Sequence, residues 1–348
     1  MLQSKETNLG KDRIGSLFFA LAVPAITSQV VNALYNMVDR MYIGHIPGSG
    51  AAALTGVGVA FPLIMIISAF AALVSMGGAP RASIMMGKGD NEQANKILGN
   101  CFTALVITAL ALTAVTMIFC EPLLMMFGAS ENTIVYAKAY MMIYAAGTIF
   151  VQLTLGMNAF ISAQGFSRVS MLTVVIGAIT NIVLDPVLIF GFHMGVRGAA
   201  LATVLSQAVS TVWVLQFLSG KKSQLKLHPK YFSIDAKILF PALALGVAPF
   251  IMQSTESLLV LCFNSSLLKY GGDLAVGAMT ILSSVMQFSM LPLQGLTQGA
   301  QPIISFNYGA GNIDRVKKAF HLLLVSCLVY SSVMWVLCML FPQMFAAI

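Results

Sequence analysis

Long apolar runs alternate with short polar connections along almost the whole chain. The runs are about 20 to 28 residues long and lack the strict alternation of apolar and polar positions that is typical of a half-buried strand. About 20 apolar residues in a helix suffice to cross the hydrocarbon core of a bilayer. The pattern therefore predicts nine transmembrane helices, at about 17–43, 52–79, 97–119, 134–160, 169–192, 197–218, 238–265, 274–300 and 318–341.

Composition also indicates an integral membrane protein. Of the 348 residues, 58% are hydrophobic and only 9% are charged, and the mean hydropathy is +0.87. Soluble domains carry about 25% charged residues. Because backbone polar groups in lipid must be satisfied internally, only helices and closed barrels span membranes. We therefore expect an all-α integral membrane protein, and the excess of basic residues gives no support to nucleic-acid binding.

Lysines and arginines are divided unequally between the two sets of connections. One set contains fifteen of them: Lys5, Lys11, Arg13, Arg81, Lys88, Lys96, Arg168, Lys221, Lys222, Lys226, Lys230, Lys237, Arg315, Lys317 and Lys318. The opposite set contains Arg40, Arg197 and Lys269, whereas Lys138 lies near the start of a span. Because cytoplasmic connections are enriched in basic residues, the chain is predicted to cross the cell membrane several times with its N-terminus in the cytoplasm.

The last three predicted spans repeat features of the first three. "MGKGDNEQANK" at 86–96 matches "YGAGNIDRVKK" at 308–318, and each is a short connection that leads into a third span. "VPAI" at 23–26 matches "APFI" at 248–251, which places a proline early in spans one and seven. A period of about 220–225 residues predicts two halves related by an axis along the membrane normal, a plan that recurs in transporters.

The repeat predicts how the chain is organised. We expect an N-terminal six-helix bundle at 1–220, a cytoplasmic linker at 221–237 and a partial C-terminal bundle at 238–348. Since the second half stops after its third span, nine helices of an expected twelve would be present. The alternative is a protein with nine helices.

Four polar residues in three predicted spans fall at a similar depth. Asp39 lies about 33 Å along the first span, and Asp185 lies about 24 Å along the fifth, so both are in the outer half. Thr203 falls in the second turn of the sixth span, which runs inward. Asn181 and Asp185 are spaced i, i+4 and share a helix face. We therefore expect these four side chains to lie together.

Asp185 is the hardest of the four to explain as a structural residue. A carboxylate in hydrocarbon is costly, so it usually faces a partner or a cavity. Pro186 follows directly and has no backbone N–H, which predicts a local kink. Asp39 could instead pair with Arg40 at the membrane surface, and Asn181 could be a hydrogen-bonding contact between helices. The convergence of two carboxylates at one depth favours a shared site for a cation or an exchangeable proton.

Other sites and function classes are less well supported. Glu256, in the seventh span, is either a further intramembrane site acid or a hydrated packing residue. The four histidines lie in loops or near span ends, without an HExxH or GxSxG motif, so we do not expect an enzyme. A flippase for a lipid-linked sugar is an alternative, but its cavity would be rich in arginine, and no basic residue is predicted at mid-membrane.

Four segments together resemble the multidrug and toxic compound extrusion (MATE) family, with the greatest similarity to its DinF-like and MepA-like bacterial and archaeal members. They are "LYNMVDRMYIG" at 34–44, "NIVLDPVLIFG" at 181–191, "GVRGAALATVLSQ" at 195–207 and "PLQGLTQGAQPIISFNYGAGN" at 292–312. The resemblance covers essentially the whole chain. It implies a fold of two pseudo-symmetric helical bundles and an antiporter that exports cationic, amphipathic drugs in exchange for sodium ions or protons.

The resemblance also implies roles for individual residues. The family's coupling site falls on the four residues found by depth: Asp39, Asn181, Asp185 and Thr203. Family drug-cavity positions correspond to Tyr35 and Asn158, and Glu256 would be a second coupling acid. The implied partners are small cationic or amphipathic drugs and membrane lipid, with no nucleic acid, no cofactor besides Na⁺ or H⁺ as coupling ion, and a monomeric state. Without three further helices, alternating access would be impaired.

Overall fold

The computed structural model describes residues 8–341, with most side chains between 257 and 281 excluded, and in this range every regular element is a helix. The elements are α1 (Ile14–Gly44), α2 (Gly50–Gly87), α3 (Asn91–Ile118), α4 (Cys120–Met126), α5 (Ile134–Ala146), α6 (Thr148–Ala163), α7 (Ser167–Pro186), a π-helical turn (Val187–Gly191), α8 (Val196–Ser219), a 3₁₀ turn (Pro229–Tyr231), α9 (Ala236–Gly309) and α10 (Ile313–Leu340). The expectation of an all-α membrane protein is confirmed.

Most predicted spans correspond to single helices. Within the described residues, seven helical stretches are long and apolar enough to cross a membrane, and α5 with α6 would make an eighth. α1, α2, α3, α7, α8 and α10 coincide with predicted spans one, two, three, five, six and nine. The apolar runs therefore located the helices well, although their ends differ by several residues.

The fourth predicted span is bent rather than straight. α5 and α6 meet at an angle of 58° on either side of Gly147. A Cβ atom at Gly147 would collide with the side chain of Val204 in α8. At the bend, α8 therefore lies so close to residue 147 that only glycine fits there. The apolar pattern of the sequence could not predict this bend.

The helical run of α9 consists of two arms that pack on the same neighbour. A Cβ atom at Gly77 of α2 would collide with the carbonyl oxygen of Ala242, and one at Gly87 would collide with that of Phe306. Gly77 and Gly87 are about 15 Å apart along α2, whereas a straight helix would separate Ala242 from Phe306 by about 96 Å. α9 therefore folds back on itself.

These two arms correspond to predicted spans seven and eight. The first arm is Ala236–Glu256, and the second comprises residues 282–309. The predicted connection at 266–273 falls among residues whose side chains are not described. A count of nine spans is thus compatible with the structure.

The connections that carry most of the basic residues contact one another at one end of the bundle, called here the basic end. There, the side-chain amide of the residue directly after α6 binds the linker that follows α8. Oε1 of Gln164 accepts hydrogen bonds from Ser223 Oγ at 3.0 Å, from Gln224 N at 2.8 Å and from Leu225 N at 2.9 Å. Asn95 Oδ1 likewise accepts from the linker backbone, at Lys226 N, 2.8 Å away. The linker is therefore fixed to the first bundle.

A second amide ties the N-terminal segment to the end of α9. Nδ2 of Asn307 donates to Leu9 O at 2.9 Å and to Ile303 O at 2.8 Å. Its Oδ1 accepts from Arg315 Nε at 2.9 Å, and Arg315 Nη2 donates to Asp12 O at 2.7 Å. This contact joins the beginning of the chain to its second half. The cytoplasmic assignment of the basic end and the domain boundaries stay predictions.

Candidate ion-coupling site

Two acids from different helices meet near the end of the bundle opposite the basic end. Asp39 lies in the last turns of α1, and Asp185 is the penultimate residue of α7. Asp39 is 9% exposed and Asp185 is fully buried. The two acids are close enough to interact electrostatically. The packing of α1 along α7 therefore brings Asp39 and Asp185 near each other.

The donors around these acids are too few for two carboxylates. Asn181 Nδ2 donates to Asp185 Oδ1 at 3.3 Å, across one turn of α7. Among residues 8–341, no hydrogen-bond partner reaches Asp39 Oδ1, Asp185 Oδ2 or Asn181 Oδ1, and all three atoms are buried. Buried polar atoms without a partner are rare, so each calls for an explanation such as a bound ion or proton.

Arg40, the residue next to Asp39, contacts an aromatic ring. Its guanidinium lies over the ring of Phe61, with Cζ 4.7 Å from the ring centroid. The ion pairs found among the described side chains join Lys96 to Glu92 and Lys138 to Glu121. The structure thus gives no ion pair between Asp39 and Arg40 among the described side chains, although the charge of Arg40 still acts on Asp39.

α5 and α8 complete the surroundings of the two acids. Thr203, in the second turn of α8, donates from Oγ1 to Ala199 O at 3.1 Å. The hydroxyl of Tyr140 in α5 lies against Thr203, and Tyr140 is close enough to Asp39 for electrostatic interaction. Tyr35, one turn before Asp39, also lies near both acids. Asp39, Asn181 and Asp185 are thus brought together with Tyr35 near them, whereas Thr203 is linked to them through Tyr140.

A row of tyrosines on α5 belongs to the site, and sequence reasoning missed it. Tyr140 and Tyr144 are both buried, and their rings stack with centroids 6.2 Å apart at 17°. Tyr144 lies against Ser68 of α2 and near Tyr35. With Tyr136, these tyrosines are spaced i, i+4, i+8, which places them on one helix face. That spacing is the signal that could have identified them.

Asn158 and Glu256 lie away from the acids. Asn158 Nδ2 donates to Ser170 O at 3.3 Å, and Ser170 is about 16 Å from Asn181 along α7. The two implied cavity positions, Tyr35 and Asn158, are therefore at different depths. Glu256 lies on an exposed face at the end of the first α9 arm, and no described contact links it to the acids.

The backbone changes from α-helix to π-helix directly after Asp185. α7 ends at Pro186, and in the next turn Phe192 N donates to Val187 O at 2.9 Å, an i to i+5 bond. A Cβ atom at Gly198 of α8 would lie 2.8 Å from the Leu188 backbone, so the wide turn packs tightly on α8. π-helical turns inside helices often occur at functional sites. The sequence predicted a local kink at Pro186, and the irregularity that the structure shows is this π-helical turn directly after the proline.

Oxygen atoms dominate the chemistry of this site. The oxygen ligands available to a cation are the two carboxylates, the amide oxygen of Asn181 and the hydroxyl of Thr203. Hard cations prefer oxygen ligands of this kind. Alternatively, a proton on one of the two acids would allow it to donate a hydrogen bond to the other. The chemistry of these groups is suited to a monovalent cation or to a proton.

Comparisons with known proteins identify relatives of the chain. The family profile described as MatE matches residues 24–187 and 249–348. The multidrug export protein MepA of Staphylococcus haemolyticus is 26% identical over 321 residues, which cover 91% of this chain and 70% of that protein. These matches include both halves of the predicted repeat.

Solved structures share the fold. A chain described only as protein A is 33% identical, with a TM-score of 0.89, and the match covers 98% of this chain and 76% of that one. An outward-facing multidrug resistance transporter of the MOP superfamily is 24% identical with a TM-score of 0.89, over 99% of this chain and 76% of that one. The helical bundle predicted here is therefore a known transporter architecture.

Proposed function

Because the chain belongs to the MATE family, we propose that it is a secondary active efflux transporter rather than an enzyme. It would export small cationic, amphipathic compounds in exchange for sodium ions or protons. The similarity to a multidrug export protein supports the efflux activity. Antiport further requires a site that binds a coupling ion, and the acid cluster, comprising Asp39, Asn181, Asp185 and Thr203, is the candidate.

The proximity of the buried acids Asp39 and Asp185 is the observation that carries this proposal. Two buried carboxylates that are close enough to interact repel each other unless a cation or a proton lies between them. No basic side chain among the described residues pairs with either acid, since Arg40 stacks on Phe61. The absence of a basic partner here also disfavours a flippase that binds a pyrophosphate.

Ion binding at the acid cluster would favour one conformation of the bundle. With an ion or proton bound, Asp39 and Asp185 hold α1 and α7 together, whereas two bare carboxylates push these helices apart. An ion shifts a conformational equilibrium only by its difference in affinity for the two states. α1 also packs on the second α9 arm, where a Cβ atom at Gly295 would collide with Ile26. A movement of α1 would thus reach the second half of the protein.

Transport in proteoliposomes tests this function. The 348-residue chain is reconstituted with ethidium as the exported cation, and a sodium or a proton gradient is imposed separately. We expect Asp185→Asn and Asp39→Asn to insert normally and to lose gradient-driven efflux, because each keeps its size but loses its charge. Asn181→Ala should reduce efflux less, because it removes a neutral ligand and leaves both acids in place.

Glu131→Gln is the matched control, because it removes one carboxylate from an exposed position outside the cluster. It should transport at the parental rate. A well-inserted Asp185→Asn variant with parental gradient-driven efflux would reduce Asp185 to a structural residue. Parental transport that ignores both gradients would instead refute antiport.

A further inference from the structure

A groove lies at the basic end, between the start of α1 and the first turns of α10. It is distant from the acid cluster. Its volume is about 620 Å³. The residues that line it are Ile14, Gly15, Lys317, Lys318, His321, Leu322 and Val325. Both helices begin at the basic end, so the groove opens where membrane headgroups would meet the protein.

Polarity changes along the groove from the helix start inward. Lys317 is about 6 Å into α10, whereas Val325 is about 18 Å into it. Lys317 and His321 are spaced i, i+4 and share a face, and Leu322 and Val325 continue the wall as an apolar stripe. The groove is therefore cationic near the membrane surface and apolar at greater depth.

Among the described side chains, no carboxylate forms an ion pair with Lys317 or Lys318 of the groove. The lining includes no carboxylate, and the ion pairs found among the described side chains are Lys96–Glu92 and Lys138–Glu121. Lys317, Lys318 and His321 are all exposed. Two adjacent lysines beside an apolar wall would thus attract an anion that also has an apolar part.

Gly15 keeps the opposite wall of the groove open. A Cβ atom added there would meet no atom within 4 Å, in contrast to the glycines that pack α2 against α9. Gly15 is therefore not required by close packing between helices. Because it has no side chain, space remains beside Ile14, at the level of the lysines on α10.

We propose that this groove binds an anionic phospholipid. Lys317 and Lys318 contact the phosphate, and one acyl chain lies along Leu322 and Val325. The match in charge and polarity, with cations at headgroup level and apolar side chains below them, identifies this occupant. Basic residues next to a membrane helix attract anionic lipids in this way. A free phosphate ion would contact the lysines but would leave the apolar wall uncovered.

Native mass spectrometry of the purified 348-residue protein measures the binding directly. The protein is equilibrated in detergent with phosphatidylglycerol or with phosphatidylcholine of the same acyl chains. We expect about tenfold more retained phosphatidylglycerol than phosphatidylcholine, because two lysines favour the anionic headgroup. Excess inorganic phosphate should not displace the retained lipid. Equal retention of the two lipids, or complete displacement by phosphate, would overturn the proposal.

Two kinds of variant separate the groove from the general charge of this surface. Lys317→Gln with Lys318→Gln should reduce phosphatidylglycerol retention to the phosphatidylcholine level. Gly15→Leu keeps both lysines and fills the groove, so it should reduce the retention of both lipids. Lys221→Gln with Lys222→Gln is the control, because it removes two exposed lysines from the linker at the same end of the bundle.

The control should retain phosphatidylglycerol as the parent does. Equal loss in the control and the groove double variant would show that diffuse charge attracts the lipid, and it would refute a defined site. Parental retention in Gly15→Leu would place the lipid elsewhere. Thermal unfolding of each variant establishes that the comparison is made on folded protein.

Discussion

Two groups of buried polar residues, at opposite ends of the bundle, differ in how their hydrogen-bonding groups are satisfied. One group is the acid cluster. The other comprises Gln164 and Asn307, called here the amide clamps. Exposure does not separate them, because Asn181 and Asp185 are 1% and 0% exposed while Gln164 and Asn307 are 2% and 0% exposed.

The two groups differ clearly in how many of their buried polar atoms have a hydrogen-bond partner. Oε1 of Gln164 accepts three hydrogen bonds, and both polar atoms of the Asn307 side chain are bonded. In the acid cluster, one oxygen atom each of Asp39, Asn181 and Asp185 has no partner among the described residues. Burial alone therefore says little about function in a membrane protein. A buried group that lacks a partner is the one available to bind and release a ligand.

Replacement of an amide clamp should have the largest effect on stability. Gln164→Ala leaves the N–H groups of Gln224 and Leu225 without their acceptor, whereas Ser223 Oγ keeps Leu225 O at 2.6 Å. Since a buried donor left without a partner costs about 1–3 kcal/mol, we expect a loss of about 3 kcal/mol. The midpoint of thermal unfolding in detergent measures it. A midpoint equal to that of the parent would show that water replaces the amide freely, and the contrast between the two groups would fail.

Replacing one asparagine from each group should change stability by an intermediate amount and allows a direct comparison. Asn307→Ala removes the acceptor of Arg315 Nε and one of the two donors to Leu9 O, although Arg315 Nη2 still reaches Leu9 O at 3.1 Å. We therefore expect a loss of about 1–2 kcal/mol. Asn181→Ala removes one long hydrogen bond together with an unsatisfied oxygen, and should cost less than about 1 kcal/mol. The two unfolding midpoints are compared under the same conditions. The reverse order of the two losses would contradict the assignment of Asn307 as structural and Asn181 as a ligand.

The smallest effect on stability is expected for the acids themselves. Asp185→Asn removes a buried charge without a basic partner, so the protein should be as stable as the parent or more stable when sodium is absent. Thermal unfolding with and without sodium is the measurement, and a clear loss of stability in sodium-free buffer would show that the carboxylate has a structural partner.

Glu121 is the control acid, because it already has a partner. Lys138 Nζ donates to Glu121 Oε2 at 2.8 Å, and this hydrogen bond, together with the positive charge, lowers the pKa of Glu121. Whatever the pair contributes is present at neutral pH and is lost as the pH falls through that lowered pKa. Both side chains are exposed, so Glu121→Gln should leave the unfolding midpoint and transport near parental values.

The sequence predicted helices better than it predicted their contacts. Apolar runs of membrane length locate spans because lipid penalises exposed backbone, and Asp185 stands out because it interrupts such a run. The position of each residue along its predicted span also placed Asp39, Asn181, Asp185 and Thr203 at a similar depth. These inferences depend only on distance along a helix, which the sequence specifies.

Contacts between distant segments could not be predicted in this way. Gln164 precedes a glycine and has the features of an ordinary turn residue, yet its partners are one hydroxyl and two backbone N–H groups about 60 residues later. The bend at Gly147 depends on how closely α8 approaches, and the local pattern contains no trace of that approach. Tyr140 and Tyr144 were predictable from their helical spacing, but tyrosines in a span are common enough that spacing alone did not identify them.

The docking of the linker has a consequence for biosynthesis. Gln164 and Asn95, which bind the linker, both precede it in the chain. They are therefore already in the membrane when residues 223–226 emerge from the ribosome. We expect the linker to attach to the finished first bundle before α9 is synthesised. The nascent second half would then enter the membrane from a fixed starting point, next to the glycines of α2 on which it packs.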